Sequence, residues 1–232
     1  MAPGLAPGPA YRHDALAVVF QVRHGRLHVL LWQRARPPYA GAWALPGGAL
    51  GPEETLGASV ARQLASKVDV REVAHLEQLE TRSEPHRDPR GRALATAYLG
   101  LVPAHLDPAV PPDTTWHPAS DLPATAFDHR SIIDSALARL RAKLSYTNLG
   151  FALAPPTFTI SELREVYVAA LGHDVTATNL QRVLRRRGAL APTGAQVRSG
   201  RTGGRPAAVY RFATAALEVT DPFAVLRPPT GR

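Results

Sequence analysis

The sequence predicts an α/β sandwich, a mixed sheet with helices on both faces, followed by a smaller α+β domain built on a helix-turn-helix. Three observations predict it. Strand-like and helix-like runs alternate through the first 150 residues, two short helical patterns follow residue 159, and a Gly- and Arg-rich hairpin follows them. The 232 residues suffice for two modest domains, and a hydrophobic content of 45% can supply a core for each.

Composition excludes several classes of protein. The chain contains no cysteine, which excludes disulfides, thiolate-bound zinc and cysteine nucleophiles. No run approaches the roughly 18 apolar residues of a membrane span, so no membrane partner is expected. Residues 1–10 lack the basic and apolar segments of a signal peptide and are expected to form a flexible N-terminus. The expected location is therefore cytoplasmic.

The N-terminal half begins with a predicted β-hairpin. Residues 16–22 and 27–33 are rich in β-branched and large apolar side chains, and residues 23–26 between them form a turn with a glycine. A helix is predicted over residues 53–68 because apolar side chains recur there at helical intervals. These side chains are Leu56, Val60, Leu64 and Val68.

Two more strands and a second helix complete the first domain. Strands are predicted at residues 73–79 and 93–102, with a polar, turn-rich loop at residues 83–92 between them. Residues 131–144 have the pattern of a helix, for which Ser131 is the expected N-cap.

The boundary between the domains is predicted near residues 148–156, which assigns residues 11–148 to the first domain and 149–225 to the second. The net charge divides unevenly between them. Residues 151–232 contain eleven arginines against five acidic residues, so +6 of the formal net charge of +8 lies there. A basic C-terminal third favours a polyanionic partner, although a well-solvated surface also accounts for it.

A helix-turn-helix is predicted at the start of the second domain. Thr159 and Glu162 have the spacing of a capping box, and the helix that they begin ends at Gly172. A short turn separates it from a second helix of about residues 177–187, which ends at Gly188.

The second of these helices is strongly amphipathic. Leu180, Val183 and Leu184 share its inner face. Arginine and glutamine side chains match the edges of guanine and adenine, and arginine also binds phosphates. We therefore predict DNA contacts from the outer face; a merely solvated face is the alternative. The outer side chains are Thr178, Gln181, Arg182, Arg185 and Arg186.

The hairpin that follows is typical of the wing in a winged helix-turn-helix domain. Residues 197–212 read as a strand, a Gly- and Arg-rich tip and a second strand. Arg201 and Arg205 lie in the tip, where glycines let the backbone approach phosphates or the minor groove. A nucleotide-binding glycine loop is the alternative, but the strand, helix and lysine of a Walker motif are missing around it.

Residues 48–70 resemble the Nudix box, G-x5-E-x7-R-E-U-x-E-E-x-G-U, in which U is a large aliphatic residue. Gly48, Glu54 and Arg62 have the required spacing, Leu64 falls on an aliphatic position, and Trp-Ala-Leu-Pro-Gly-Gly leads into the match. The resemblance therefore predicts a Nudix-type sandwich for the first domain. The departures are Gln63, Ser66 and Lys67 in place of glutamates and Asp69 in place of glycine.

These departures fall on the groups that hold metal in Nudix hydrolases. Magnesium needs hard oxygen ligands and clustered negative charge, whereas Ser66 is neutral and the Lys67 cation repels a metal ion. We expect no metal site and little or no pyrophosphatase activity. The alternative is a metal-dependent Nudix hydrolase acting on ADP-ribose or a related nucleoside diphosphate. In that case other carboxylates replace the missing acids, for instance Glu77, Glu80 or Glu84.

From about Tyr11 to Phe212 the chain resembles the NrtR family, Nudix-related transcriptional regulators of NAD metabolism that join an inactive Nudix-like domain to a C-terminal winged helix. The segments 128–133, 139–146, 158–163 and 204–207 also carry the resemblance. It implies a homodimer that binds double-stranded operator DNA upstream of NAD biosynthesis or salvage genes and represses them. ADP-ribose, as an effector and not a cofactor, would bind the Nudix domain and release the DNA.

Seven residues are predicted to bind ADP-ribose under this hypothesis. Arg62 has an equally plausible structural use, an ion pair with Glu54. An RNA-binding or partner-binding module that uses the basic C-terminal third is a further alternative. The predicted effector-binding residues are Arg34, Trp43, Gly48, Glu54, Arg62, Arg87 and Arg92.

Overall fold

The first domain is a mixed β-sheet with a helix on each face. The structure is a computed structural model and describes residues 11–197 and 206–221. In chain order the elements of this domain are β1 (Arg12–Arg23), β2 (Arg26–Gln33), β3 (Trp43–Ala44), β4 (Gly47–Ala49), α1 (Leu56–Lys67), β5 (His75–Arg82), β6 (Ala93–Val102), β7 (Thr114–Pro118) and α2 (His129–Tyr146). Within the described residues the seven strands form one sheet, whose path is β3-β2-β1-β6-β5, with β4 on β1 and β7 on β2.

The parallel pair of β1 and β6 forms the centre of the sheet. Their register begins with Arg12 opposite Ala93 and ends with Gln21 opposite Val102. Because side chains alternate along a strand, β1 contributes to a core on each face. The predicted sandwich is thereby confirmed. Ala15, Ala17 and Val19 pack with α1, and Leu16, Val18 and Phe20 pack on the side of α2.

The predicted elements form, but several of their ends differ from the prediction. The helix predicted over residues 53–68 is α1 (Leu56–Lys67), and the strand predicted at residues 73–79 is β5 (His75–Arg82). The hairpin turn is confirmed at His24 and Gly25, whose φ angles are 49° and 72°. The N-cap prediction for Ser131 is wrong, because α2 begins at His129 and its N-cap is Asp128. The chain turns into the helix at Phe127, where φ is 55°. Ser131 lies in the first turn, and its hydroxyl donates to the Asp128 carbonyl at 2.8 Å.

The second domain has the predicted winged-helix topology. Its capping box is present, since Thr159 Oγ1 accepts from Glu162 N at 3.3 Å and Glu162 Oε2 accepts from Thr159 N at 2.7 Å. Gly172 ends the first helix with a φ of 77°. The strands pair in the order β8-β10-β9. After a short 3-10 helix (Leu149–Ala152) come β8 (Phe158–Thr159), α3 (Ile160–Leu171), α4 (Ala177–Arg186), β9 (Leu190–Val197) and β10 (Ala207–Phe212).

One apolar core runs through both domains. Phe20 and Leu140 of the first domain belong to the same buried cluster as Leu163 and Leu184 of the second. Helix α3 lies against β1, β2 and α2. At the junction, fully buried Tyr167 packs on the 3-10 helix. A large apolar junction opposes independent motion of two domains, so we expect them to unfold together.

The junction leaves no space for a side chain at Gly150. A Cβ added there would lie 2.4 Å from the Tyr167 hydroxyl oxygen. We predict that Gly150→Ala lowers the free energy of unfolding by about 1–3 kcal/mol, as overpacking does in other cores. The measurement is urea unfolding followed by tryptophan fluorescence, which reports on the first domain, and by far-UV circular dichroism.

Gly57→Ala is the matched control. A Cβ at Gly57 would meet no atom within 4 Å, and alanine favours a helix over glycine. This variant should be as stable as the wild type or more so. Separate transitions for the two probes, or equal stability of the two variants, would contradict the shared core.

Candidate functional site

A cavity of about 410 Å³ opens in the first domain between the start of β1, the strand β4, the end of α1 and the loop of residues 83–92. Its volume lies in the range of about 300–1,000 Å³ usual for small-molecule sites. An excess of positive charge in a cleft favours an anionic ligand. The charged side chains that line it are Arg12, Arg34, Arg36, Lys67, Arg87 and Arg90, with Asp14 and Asp88.

The structure brings three of the seven predicted effector-binding residues to this cavity, namely Arg34, Gly48 and Arg87. A Cβ at Gly48 would lie 2.6 Å from Nε2 of Gln63 in α1, so a larger residue there would displace the end of that side chain. The other four residues do not line the cavity wall. They are Trp43, Glu54, Arg62 and Arg92.

Glu54 and Arg62 bind each other outside the cavity. Arg62 Nε donates to Glu54 Oε2 at 2.9 Å, and the backbone N–H of Gly51 donates to Glu54 Oε1 at 2.7 Å. The hydrogen bonds from Arg62 and then Gly51 lower the pKa of Glu54 to about 2. The pair thus joins α1 to the turn before it. This ion pair is the structural alternative to effector binding that the sequence offered for Arg62.

Trp43 and Arg92 also have partners away from the cavity. The Trp43 ring meets the His117 ring edge-on, with 4.4 Å between centroids. Arg92 donates to the Ser83 carbonyl, and its guanidinium carbon lies 5.7 Å from the centroid of the Tyr11 ring. For these two residues a contact with the effector stays a prediction.

Asp88 organises the arginines on one wall of the cavity. Its side chain is 2% exposed and accepts hydrogen bonds from Arg12 and from Arg90, the latter at 3.0 and 2.7 Å. Burial alone would raise the pKa of Asp88, but the hydrogen bonds from Arg90 and Arg12 hold it well below its usual range. An ionised aspartate therefore keeps both guanidinium groups at the cavity.

Arg87 connects the cavity to the start of α2. Its side chain is 3% exposed and donates to the two carboxylate oxygens of Asp128 at 3.0 and 2.7 Å. The next residue, His129, accepts a hydrogen bond from the backbone N–H of Leu45 at 3.0 Å through Nδ1. Burial lowers the pKa of His129 to about 3, so the ring is neutral at neutral pH.

Phe127 gives the cavity an aromatic face. The guanidinium carbon of Arg34 lies 4.8 Å from its ring centroid, and that of Arg90 lies 5.7 Å away. The positive φ of Phe127 is rare for a bulky residue, and such strain is concentrated at functional sites. Sequence reasoning missed Phe127 because a single aromatic in a loop has no periodic signal. Arg90 lies in the same loop as Arg87 and Arg92, so the argument that selected those two arginines could also have selected Arg90.

Lys67 lies where the Nudix box has its last glutamate. Its ammonium group donates to the Gly47 carbonyl and lies 4.9 Å from the centroid of the Trp32 ring. Burial, and next the charge of Arg34, lower its pKa. With this cation and two neutral side chains, Gln63 and Ser66, the residues present do not fit a divalent metal ion.

The alternative acids Glu77, Glu80 and Glu84 do not line the cavity. Glu77 binds Lys143, and Glu80 binds Arg82 at 2.7 Å. Within residues 11–197 and 206–221, no group of three His, Asp or Glu side chains is arranged to hold a metal ion.

The outer face of α4 is basic and exposed. Thr178, Arg182, Arg185 and Arg186 are exposed, while Gln181 is half-buried and donates to the Tyr210 hydroxyl at 3.1 Å. Further contacts are Arg182 to Asn179 Oδ1 at 2.6 Å and Arg186 to Asp221 Oδ2 at 3.0 Å. Among the described residues Arg185 has no ion pair. The predicted wing residues Arg201 and Arg205 lie outside the described ranges, between β9 and β10.

Arg187 departs from the basic run that precedes it. Its side chain is 1% exposed and donates to the Ser145 carbonyl at 2.5 Å and to Asp221 at 3.4 Å. It therefore joins the end of α4 to the last turn of α2. The run of three arginines accordingly divides into two that face outward and one that faces the junction between the domains.

A cation-lined Nudix-type cleft and a winged helix with an arginine-rich outer helix define a class of protein, a Nudix domain coupled to a DNA-binding domain. Residues 11–136 match the NUDIX domain, and residues 150–212 match the NrtR DNA-binding winged helix domain. The chain belongs to the NrtR family. Within its described residues no helix has the length and apolar character needed to cross a membrane.

Individual relatives agree with this assignment. The ADPR responsive transcriptional repressor NtrR of Acinetobacter baylyi is 34% identical over 215 residues, or 89% of this chain and 83% of that protein. Shewanella oneidensis NrtR complexed with a 27mer DNA is 34% identical with a TM-score of 0.74, over 87% of this chain and 93% of that one. The NUDIX domain of the Shewanella protein complexed with ADP ribose is 34% identical with a TM-score of 0.51, over 57% and 90% of the chains.

The depressed pKa of His129 predicts a pH dependence of stability. A histidine in the unfolded chain has a pKa of about 6.5, whereas burial lowers that of native His129 to about 3. Between these values the unfolded chain binds a proton that the native protein does not. The stability that neutral His129 contributes is therefore full above the unfolded pKa and declines as the pH falls, by up to about 1.4 kcal/mol per unit.

His129→Gln keeps an acceptor for Leu45 N–H but does not titrate. Between about pH 7 and about pH 5, we expect its free energy of unfolding to fall by roughly 2 kcal/mol less than that of the wild type. Urea unfolding at both pH values measures this difference. Replacing the exposed His105 with Gln is the control and should leave the wild-type slope. Identical slopes for all three proteins would contradict the assignment.

Proposed function

We propose that this chain is a transcriptional repressor that ADP-ribose releases from its operator. The observation that carries the proposal is a cleft lined by six cationic side chains in a chain that also presents an arginine-rich helix-turn-helix. The similarity to the ADPR responsive transcriptional repressor NtrR of Acinetobacter baylyi, and to the Shewanella protein in complexes with DNA and with ADP ribose, supports it.

In this proposal the cleft binds ADP-ribose by charge and by stacking. The diphosphate of the ligand faces the guanidinium groups of Arg12, Arg34 and Arg90, which are suited to forked hydrogen bonds with phosphate oxygens. Phe127 offers an aromatic face to a ribose or a base. Arg87 and Gly48 shape the wall, while Glu54 and Arg62 hold the turn before α1, so their contribution is indirect.

We also propose that the bound ligand is not hydrolysed. Gln63, Ser66 and Lys67 replace the glutamates that would gather metal ions and activate water. Retaining the ligand intact suits a sensor, because a ligand destroyed on binding reports its concentration poorly. Incubation with ADP-ribose and magnesium should therefore release no AMP above background.

The DNA-binding form is proposed to be a homodimer on a near-palindromic operator upstream of NAD biosynthesis or salvage genes. Residues 11–148 form the effector domain and residues 149–225 the DNA-binding domain. The outer residues of α4 read base edges, and Arg201 and Arg205 of the wing hold phosphates or enter the minor groove. The cytoplasmic location expected from the sequence stays a prediction.

Helix α2 offers a physical connection between ligand and DNA. Its N-terminus touches the cleft through the Arg87–Asp128 pair, and its last turn accepts a hydrogen bond from Arg187, next to α4. The shared core opposes rotation between the domains of one chain. We therefore propose that ADP-ribose favours a different arrangement of the two protomers. Equal dimer geometry in ligand-bound and DNA-bound crystals would contradict this part of the proposal.

The central experiment titrates ADP-ribose into a complex of the protein with duplex DNA from upstream of NAD biosynthesis genes in its own genome, in EDTA. We expect selective binding to this DNA that ADP-ribose abolishes, measured by fluorescence anisotropy. Selective binding that is indifferent to ADP-ribose would contradict the effector assignment. Stronger binding to single-stranded RNA, or metal-dependent AMP release without DNA binding, would instead favour the RNA-binding or hydrolase alternatives.

Arg185→Ala tests the proposed recognition helix. Arg185 is exposed on α4 and has no ion pair among the described residues, so its loss removes little from the fold. We expect operator binding to weaken by about 5- to 150-fold, the range for a lost arginine–guanine contact. Arg71→Ala, at an arginine 72% exposed in the first domain, is the matched control and should bind normally. Equal affinities would exclude Arg185 from the interface.

A further inference from the structure

Lys67 holds a positive charge where a Nudix hydrolase gathers divalent metal. It is the last residue of α1, and the carbonyls at a helix C-terminus favour a cation there. Its ammonium group is fixed from two sides, by the hydrogen bond to the Gly47 carbonyl and by the face of the Trp32 ring. A flexible side chain is thus held at one point of the cavity wall.

The contacts of Lys67 leave its charge without an anion. An ammonium group has three N–H donors, and the Gly47 carbonyl takes one. No carboxylate among the described residues lies within ion-pair distance of Nζ, although the other lysine, Lys143, is paired with Glu77. Arg34 and Arg62 add repulsion, which the charge of Asp14 partly offsets. A half-buried, unpaired ammonium favours an incoming anion, because the anion compensates for lost hydration.

We propose that the Lys67 ammonium takes the place of the metal and binds the diphosphate of a nucleoside diphosphate ligand directly. This inference rests on the proposed function and names the group that makes ligand binding independent of metal. Lys67 supplies a compact charge on the side of α1, and Arg12, Arg34 and Arg90, which line the same cavity, supply planar guanidinium groups. Lysine in place of glutamate at position 67 thus removes a metal ligand and supplies the positive charge that the metal would have provided.

Lys67→Met tests the proposal, because methionine keeps the length and helix preference of lysine without its charge. The probes are ADP-ribose and inorganic pyrophosphate, titrated calorimetrically in EDTA. We expect both to bind about 10- to 100-fold more weakly than to the wild type, as for a lost hydrogen bond to a charged group. Operator binding without ligand, measured on the same variant, shows whether its DNA-binding domain is folded. Arg71→Met, outside the cavity, is the matched control for loss of one positive charge.

The outcomes separate this inference from the proposed function. If the wild type binds neither ADP-ribose nor operator DNA, the proposed function fails. If ADP-ribose binds the wild type and Lys67→Met equally and releases both from DNA, the role of Lys67 is wrong and the proposed function stands. A wild type that binds ADP-ribose only when magnesium replaces EDTA would also overturn the role of Lys67.

The wild-type protein allows a second test that does not depend on folding of the variant. The chain has two lysines, Lys67 and Lys143, so labelling lysine Cε gives one NMR signal from each. ADP-ribose should shift the Lys67 signal, and by more than that of Lys143, which is paired with Glu77 outside the cavity. Lys143→Arg, which keeps a cation beside Glu77, assigns the two signals. An unmoved Lys67 signal at saturating ADP-ribose would overturn the proposal.

Discussion

The packing of α2 between the sheet and the second domain is the constraint on which the rest of the structure depends. Ile133 and Leu140 are fully buried in the core that both domains share. The same helix begins at Asp128, which binds Arg87 of the cleft, and its last turn receives Arg187 through the Ser145 carbonyl. Because protein interiors are packed as densely as organic crystals, they do not absorb displacements gradually. A displacement at one end of α2 therefore has to be accommodated at the other end.

The cleft gathers like charges that repel one another. Asp88 offsets this repulsion for Arg12 and Arg90, and Asp128 does so for Arg87. Lys67 has no such partner among the described residues. The lining therefore keeps an excess of positive charge, and Coulomb repulsion across a partly desolvated cavity is stronger than in bulk water. An anionic ligand relieves this repulsion, so the unliganded cleft is already organised for it.

The fold was largely predictable from the sequence, whereas most of the cleft lining was not: only Arg34, Gly48 and Arg87 of the predicted effector-binding residues line it. Strand alternation, the capping box at Thr159 and the amphipathic pattern of α4 are local signals, and each formed as expected. The lining of the cleft depends on β1 lying beside β6, which brings Arg12 to Asp88 across 76 positions of sequence. No local pattern contains that contact. The Nudix spacing also predicted that Glu54 and Arg62 bind the effector, whereas these residues bind each other and do not line the cavity.

The shared core determines where this chain could be cut to exchange a domain with another protein. A chimaera cut near residue 150, where the match to the NrtR winged helix domain begins, would leave α3 facing a foreign sheet and helix. Its buried Leu163 and Tyr167 would then meet side chains that were never selected to fit them. A transplanted DNA-reading unit would need α2 and the matching sheet face as part of the graft. In this chain the unit that could be transplanted intact is therefore larger than the winged-helix domain defined from the sequence.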